Sequence, residues 1–394
     1  MLLVPFALPI GYLVALKKGE DADFFERLGF VTFPTPPEKT VWFHCASVGE
    51  VRSLKVITDM MTAEMPDVKV IISTTTATGK AEAVKLIQPY HAFLLPIENP
   101  MAVAHIIEYM NVKALILIDT ELWPNLISSA SKHTKLFLFN ARLSDRSVKS
   151  YRRYRFFFAR LLNKFEHIYT KSDDDTAKFI SVTDDKSNVS TLGNIKFQTR
   201  KLTPEPEHFG FLKGLSIFAA ASTHPGEEKT AIDAFIQAKA QDRLVIAPRH
   251  KNRNEDAKNA AKEAGLTVSM LNEKDSTTEV VIVDRFGTLD ELYSISDRIF
   301  VGGSMNATGG HNIYEALQFR KPVCVGPNMS NFHEIFYLAE KFGAVTTVKN
   351  SDEMAAYLKF GINSADFDGL FGAVDHRQQD IIHRIKEVIA ACIC

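Results

Sequence analysis

Two acidic residues stand just past apolar runs in the first half of the chain. ASVGE, residues 46–50, follows VWFHC and brings Glu50 to the start of an amphipathic stretch. Gly49 permits a tight turn there. A carboxylate at such an edge can take the proton of an attacking hydroxyl. It also suits a first-turn acid that stabilises a helix, and the spacing alone allows both readings. DTELWPN, residues 119–125, repeats the placement with Glu121, and Trp123 and Pro124 fix the shape of that loop.

The second half offers glycine-rich helix starts instead. GGSMNATGGHNIYEAL, residues 302–317, follows the strand-like DRIFV and opens a helix expected near Gly310. Paired glycines let a backbone approach a ligand, and free N–H groups at a helix start attract phosphate. The spacing is neither a dinucleotide fingerprint nor a Walker loop. Asn312 and Glu315 fall in the first turn, where Glu315 can accept from ribose hydroxyls; capping by both residues is the structural reading. ASTHPGEE, residues 221–228, places the hydroxyls of Ser222 and Thr223 at a strand end, with Pro225 where a helix begins. APRH, residues 247–250, places Arg249 to meet a phosphate or carboxylate through two nitrogens.

A third feature is a charge pattern. Residues 140–164 carry Arg142, Arg146, Lys149, Arg152, Arg153, Arg155, Arg160 and Lys164 against the single acid Asp145. Tyr151, Tyr154 and Phe156 to Phe158 are interleaved. A basic, aromatic face suits a phosphorylated lipid or an anionic leaflet; single-stranded nucleic acid and plain solvent are the rival uses. Asp173, Asp174 and Asp175 read as a helix cap and first turn, with Ser172 or Asp173 as N-cap, rather than as metal ligands. No His/Cys cluster has zinc spacing.

These segments need a scaffold that ends strands in polar loops. The chain has 394 residues, 46% hydrophobic and 24% charged, with a formal net charge of -1. That length predicts two domains, and the balance excludes disorder and any partner chosen by net charge. Apolar β-rich runs at 41–46, 68–74, 113–119 and 134–140 alternate with amphipathic stretches at 49–64, 77–88 and 99–110. The alternation predicts a parallel sheet covered on both faces. It restarts after residue 214, with RLVIAP, VVIVD, DRIFVGG and KPVCVG as strands. In such sheets ligands sit beyond the carboxyl ends of the strands, which is where the polar loops lie. The expected divisions are a membrane-associating segment at 1–18, a domain at 19–195, a linker at 196–214, a second domain at 215–364 and a helical segment at 365–394. Residues 1–16 are uncharged and apolar, yet shorter than a spanning helix needs and interrupted by Pro5, Pro9 and Gly11. They read as an interfacial anchor, with Lys17 and Lys18 toward the cytoplasm. Cys45 and Cys324 lie in apolar runs and read as core residues.

WFHCASVGE, TTTATGK, ELWPN, NARLSDRS, GNIKF, ASTHPGEE, APRH and GGHNIYE occur in the order found in Kdo transferases, which attach 3-deoxy-D-manno-octulosonic acid in lipopolysaccharide synthesis. The resemblance runs from about Arg27 to about Asn331. It implies an α/β fold of the GT-B type, with two Rossmann-like doubly wound domains facing across a cleft. It implies CMP-Kdo as donor, a lipid A precursor as acceptor, and inverting transfer without metal or other cofactor. It places the catalytic carboxylate at Glu50. Acceptor binding falls to Ser47, Gly49, Glu121, Arg142, Arg152 and Arg153. Donor binding falls to Ser222, Thr223, Arg249, His250, Gly309, Gly310, His311, Asn312 and Glu315. The expected setting is the cytoplasmic face of the bacterial inner membrane, with its anionic lipids as partners and no nucleic acid. SMNAT before GGHN, and IYEAL after it, depart from the proline-containing versions commoner in the family. A nucleotide-sugar 2-epimerase of the same architecture is the rival enzyme, and a non-catalytic membrane-surface protein the rival of another class.

Overall fold

The computed structural model describes residues 21–97, 99–195, 205–361 and 364–393. The expected membrane-associating segment and residues 196–204 of the expected linker lie outside them. The chain divides into two compact units, residues 1–198 with 376–394 and residues 199–375.

Unit 1 is a seven-stranded sheet in the order β3-β2-β1-β4-β5-β6-β7, with every pairing parallel. The strands are β1 (Thr40–Cys45), β2 (Lys69–Thr74), β3 (His91–Leu94), β4 (Val112–Ile118), β5 (Lys135–Ala141), β6 (His167–Thr170) and β7 (Val189–Thr191). All six residues of β1 are buried, as expected of a central parallel strand covered on both faces. One face packs Trp42, Phe93, Leu115 and Leu117 under α4 (Pro100–Tyr109) and α5 (Pro124–His133). The other packs Phe43, Ile72, Ile116 and Phe139 with α2 (Val48–Glu64) and α3 (Ala77–Leu86). The last helix, Phe367–Ile393, adds Ile381, Ile385 and Ile389 to that second core; their four-residue spacing makes one helix stripe. Ahead of the sheet lies α1 (Asp21–Arg27). The remaining helices are α6 (Asp145–Arg153), α7 (Arg155–Leu162) and α8 (Asp173–Ile180).

Helices start where short polar residues can cap them. Ser47, Thr76, Asn99, Ser144 and Ser172 each accept an N–H from their own first turn. Ser172 is the cap and accepts the Asp175 N–H, and the three aspartates fill the first turn of α8.

Unit 2 has a second parallel sheet, ordered β10-β11-β9-β8-β12-β13-β14. Its strands are β8 (Ile217–Thr223), β9 (Arg243–Pro248), β10 (Val268–Met270), β11 (Val280–Ile282), β12 (Arg298–Val301), β13 (Val323–Val325) and β14 (Val345–Thr347). Its helices include α9 (Glu227–Ala238), α10 (Asn254–Glu263), α11 (Leu289–Ile295), α12 (Ile313–Leu317), α13 (His333–Lys341) and α14 (Ser351–Phe360). In each sheet the strand order reverses beside the first strand, between β1 and β4 and between β8 and β12. Those crevices are where such sheets bind ligands. Among the described residues no helix is long and apolar enough to cross a membrane. Cys45 and Cys324 are buried thiols outside any disulfide among the described residues.

Candidate active site

In unit 1 the loops leaving β1 and β4 supply the chemistry. Ser47 is the N-cap of α2, and Glu50 sits in its first turn. The buried Glu50 carboxylate accepts the Ala46 N–H at 2.6 Å through Oε2 and the Ser47 hydroxyl at 2.7 Å through Oε1. Capping and orientation are therefore one arrangement. Gly49 differs from expectation. It lies inside α2 without a positive φ, and a Cβ there meets only Ser47 Oγ at 3.9 Å. The turn does not require glycine.

Beyond β4, Asp119 takes a positive φ of 59° and accepts a hydrogen bond from Asn140, itself at 58°. Two strained residues hold the ends of β4 and β5 together. The Thr120 hydroxyl accepts the Arg142 N–H at 2.9 Å, drawing the exposed Arg142 beside the Glu121 loop. Trp123 Nε1 donates to Glu121 Oε2 at 3.1 Å. Burial pushes the Glu121 carboxyl above its ordinary pKa; the Trp123 bond opposes that and the Asp119 charge adds to it. Burial and the Glu121 charge likewise raise Tyr151, whose ring stacks on Phe158 at 3.8 Å.

The basic run is two helices rather than one, joined at Tyr154. Tyr154, Phe156 and Phe157 are 49%, 70% and 41% exposed beside the exposed Arg152 and Arg153. Arg152 Nε donates to Ser181 Oγ at 3.0 Å, and Arg153 lies over the Tyr154 ring. Arg155 pairs with Asp184 at 2.7 Å, so part of the apparent charge excess is neutralised by neighbours distant in sequence.

In unit 2 the loops after β8, β9 and β12 converge. Ser222 holds a φ of 54° where the β8–β9 register shifts. The Thr223 hydroxyl donates to Glu228 at 3.1 Å, and Glu228 pairs with Arg253. Arg249 N–H donates to the Thr223 carbonyl at 3.1 Å, which anchors its backbone beside this loop. His224 and His311 meet Nε2 to Nε2 at 2.9 Å with stacked rings, and the His250 ring lies 5.9 Å from His224. Burial, then the charges of His224, Arg249 and His250, lower the His311 pKa to about 4. The charges of His224, Arg249 and His250 add to the effect of burial, and an anion bound beside them would offset that part of the lowering.

The frame of this cluster is Glu227, which is 1% exposed. Its carboxylate accepts the N–H groups of His224 (2.8 Å), Gly303 (2.7 Å), Ser304 (2.9 Å) and Met305 (2.9 Å), locking the β8 loop to the β12 loop. Gly302 allows that approach, since a Cβ there would lie 2.6 Å from Glu227 Oε2. Gly309 and Gly310 have φ of 93° and 78°, and Gly310 donates to the Gly303 carbonyl at 2.7 Å.

The expected helix start near Gly310 falls instead at Ile313, after N-cap Asn312, because the left-handed glycines cannot continue a helix backward. Asn312 accepts the Tyr314 N–H and donates to the exposed Glu315 at 3.1 Å. The chain likewise enters α9 later than Pro225, at Glu227, through left-handed Gly226. Sequence reasoning named the 221–228 segment but assigned no role to His224 or Glu227. The acid three residues after His224 was the local signal; its other N–H partners are 76 to 78 residues away. Among the described residues no group of three or more His, Cys, Asp or Glu is arranged to hold a metal.

Two parallel, doubly wound units with polar loops gathered at each switch point form an α/β architecture of the GT-B type. A family model for 3-deoxy-D-manno-octulosonic-acid transferase (kdotransferase) matches residues 22–199. The chain is 31% identical over 370 residues to a 3-deoxy-D-manno-octulosonic acid transferase of Rickettsia typhi, covering 89% of this chain and 79% of that one. It is 32% identical over 347 residues to a bifunctional glycosyltransferase/methyltransferase of Fusobacterium nucleatum, covering 80% of this chain but only 54% of that longer protein. A solved glycosyltransferase from Rickettsia africae has the same fold, with a TM-score of 0.59 at 14% identity over 90% of this chain and 98% of that one. The chain belongs to the Kdo transferase family.

Proposed function

We propose that this protein transfers Kdo from CMP-Kdo to the lipid A precursor lipid IVA, with inversion and without a metal, in lipopolysaccharide synthesis. The observation that carries the reading is the cluster of Arg249, His224, His250 and His311 at the unit 2 switch point. The CMP phosphate belongs there. Preorganised cationic and N–H groups stabilise its departing charge, the task a metal performs in other transferases. Ser222 and Thr223 border the phosphate. Gly309 and Gly310 leave room for the nucleotide, and Asn312 and Glu315 accept from the ribose hydroxyls. Residues 215–364 thus act as the donor domain.

Residues 19–195 take the acceptor. Glu50, held by Ala46 and Ser47, removes the proton of a glucosamine hydroxyl as that oxygen attacks the anomeric carbon opposite CMP. One displacement inverts the centre. Glu121 and the edge at Ser47 and Gly49 orient the acceptor sugar. Arg142, Arg152 and Arg153 meet its phosphates and the anionic lipids of the inner membrane, on whose cytoplasmic face the nucleotide sugar is available. Residues 1–18 add apolar attachment, and no nucleic acid is involved.

Glu50→Gln tests the assignment. The amide retains an acceptor for one partner, and the Ser47 hydroxyl can turn to accept from its NH2 group, so the variant folds. Transfer should fall about 10²–10⁴-fold with CMP affinity unchanged. Near-normal turnover would remove Glu50 from the chemistry.

A further inference from the structure

Helix α1 is tied to the carboxyl ends of β2 and β3. Glu26 accepts the Leu94 N–H at 2.9 Å and the Lys80 ammonium at 2.6 Å, and Asp23 lies 3.7 Å from the same ammonium. The next residue, Arg27, is half-buried and donates from Nη2 to the Thr75 carbonyl at 2.7 Å. Thr75 is the first residue past β2, ahead of the α3 cap Thr76. Its hydroxyl donates to the Ala46 carbonyl at 2.6 Å. Ala46 in turn donates its N–H to Glu50 Oε2 at 2.6 Å. A guanidinium 23 positions away is thereby joined to the Glu50 carboxylate through two residues, Thr75 and Ala46.

The position of each link is the point. Neither Ala46 nor Thr75 belongs to a strand, so no strand ladder fixes either one. Ala46 instead has its carbonyl held by Thr75 and its N–H engaged by Glu50. The Arg27 side chain has no other hydrogen bond or ion pair among the described residues, and a charged donor to a backbone carbonyl outlasts a neutral one. Removing it frees the Thr75 peptide, then Ala46, then the Ala46 anchor of the Glu50 carboxylate. A base that strays from the line of the attacking hydroxyl loses rate steeply, by about 10²-fold for a displacement of ~1 Å.

We propose that Arg27 is a positioning residue for the transfer reaction, holding the Glu50 carboxylate in register through Thr75 and Ala46. This rests on the reading of Glu50 as the general base. The tests are Arg27→Met, which keeps the aliphatic stem and removes the donors, and Thr75→Val, which removes only the hydroxyl. Both are assayed with CMP-Kdo and lipid IVA under single-turnover and steady-state conditions, with CMP affinity and thermal stability measured alongside. Each variant should lower kcat about 10- to 100-fold while leaving CMP affinity and the donor KM unchanged. Thr75→Ser should restore the rate. The double variant should lose little beyond either single one, and Arg27→Met should have no further effect in a Glu50→Gln background. A parent-like kcat in either variant beside a nearly inactive Glu50→Gln overturns the proposal and leaves the Glu50 reading standing. An equal further loss from Arg27→Met in the Glu50→Gln background overturns it as well, since the arginine then acts independently. Near-normal turnover of Glu50→Gln overturns the Glu50 reading and this proposal with it. If Arg27→Met does not fold, Thr75→Val alone decides by the same criteria.

Discussion

Glu227→Gln is the most demanding substitution in unit 2. Each carboxylate oxygen accepts two backbone N–H groups, from His224 and Gly303 at one and from Ser304 and Met305 at the other. The substitution is nearly isosteric, but it turns one acceptor into an NH2 group facing two donors. A buried hydrogen bond to a charged partner contributes about 1.5–3 kcal/mol. Two such losses amount to about 3–6 kcal/mol, a large fraction of the roughly 5–15 kcal/mol that holds a domain folded. The loss should be confined to unit 2, and the protein offers a way to see it. Trp42 and Trp123 are its only tryptophans, and both lie in unit 1. Urea unfolding followed by tryptophan fluorescence should match the parent. Far-ultraviolet circular dichroism should show an earlier transition, and CMP affinity should fall because the His224 and His311 loops separate. A variant within about 1 kcal/mol of the parent by circular dichroism, with unchanged CMP affinity, would refute the view that this carboxylate frames the donor loops.

Arg152→Ser with Arg153→Ser should weaken co-sedimentation with anionic vesicles by about 1 kcal/mol per residue and raise the KM for lipid acceptor, both less at high salt, with CMP affinity unchanged. A parent-like double variant would reduce the α6 surface to a solvated face. Acid should destabilise unit 1 through His44. Burial lowers its pKa to about 4, so below the ordinary 6.5 the unfolded chain binds a proton that the folded chain refuses. Stability is intact above about pH 6.5 and falls by up to about 3 kcal/mol as the pH drops toward 4. His44→Asn should flatten that slope in denaturation curves between pH 7 and 5, and an unchanged slope would show the loss arises elsewhere. Transfer should survive EDTA; loss restored only by a divalent cation would contradict the metal-free reading.

Much of the scaffold was legible because parallel strands buried on both faces read as unbroken apolar runs. β1, β4 and β5 are such runs, whereas the N-caps Ser47 and Ser144 and the helix start at Pro124 emerged only with the structure. β10 and β14 are three residues long, too short for a period to show by itself. Loop glycines were read as one kind of signal but do different work. Gly309 and Gly310 need left-handed backbone and Gly302 needs close approach, whereas Gly49 needs neither. Glu50 at a helix start was legible locally, but its link to Arg27 was not, and neither were the partners of Glu227 after β12. Side chains that bind distant backbone leave no periodic trace.

The most direct measurement is the mass of the lipid after incubation of the enzyme with CMP-Kdo and tetraacylated lipid A precursor, with CMP release followed in the same tube. The reading predicts an acceptor heavier by one or more whole Kdo residues and CMP released in equal number. CMP release with an unchanged lipid mass, or a labelled lipid only when a UDP-sugar replaces CMP-Kdo, would contradict it.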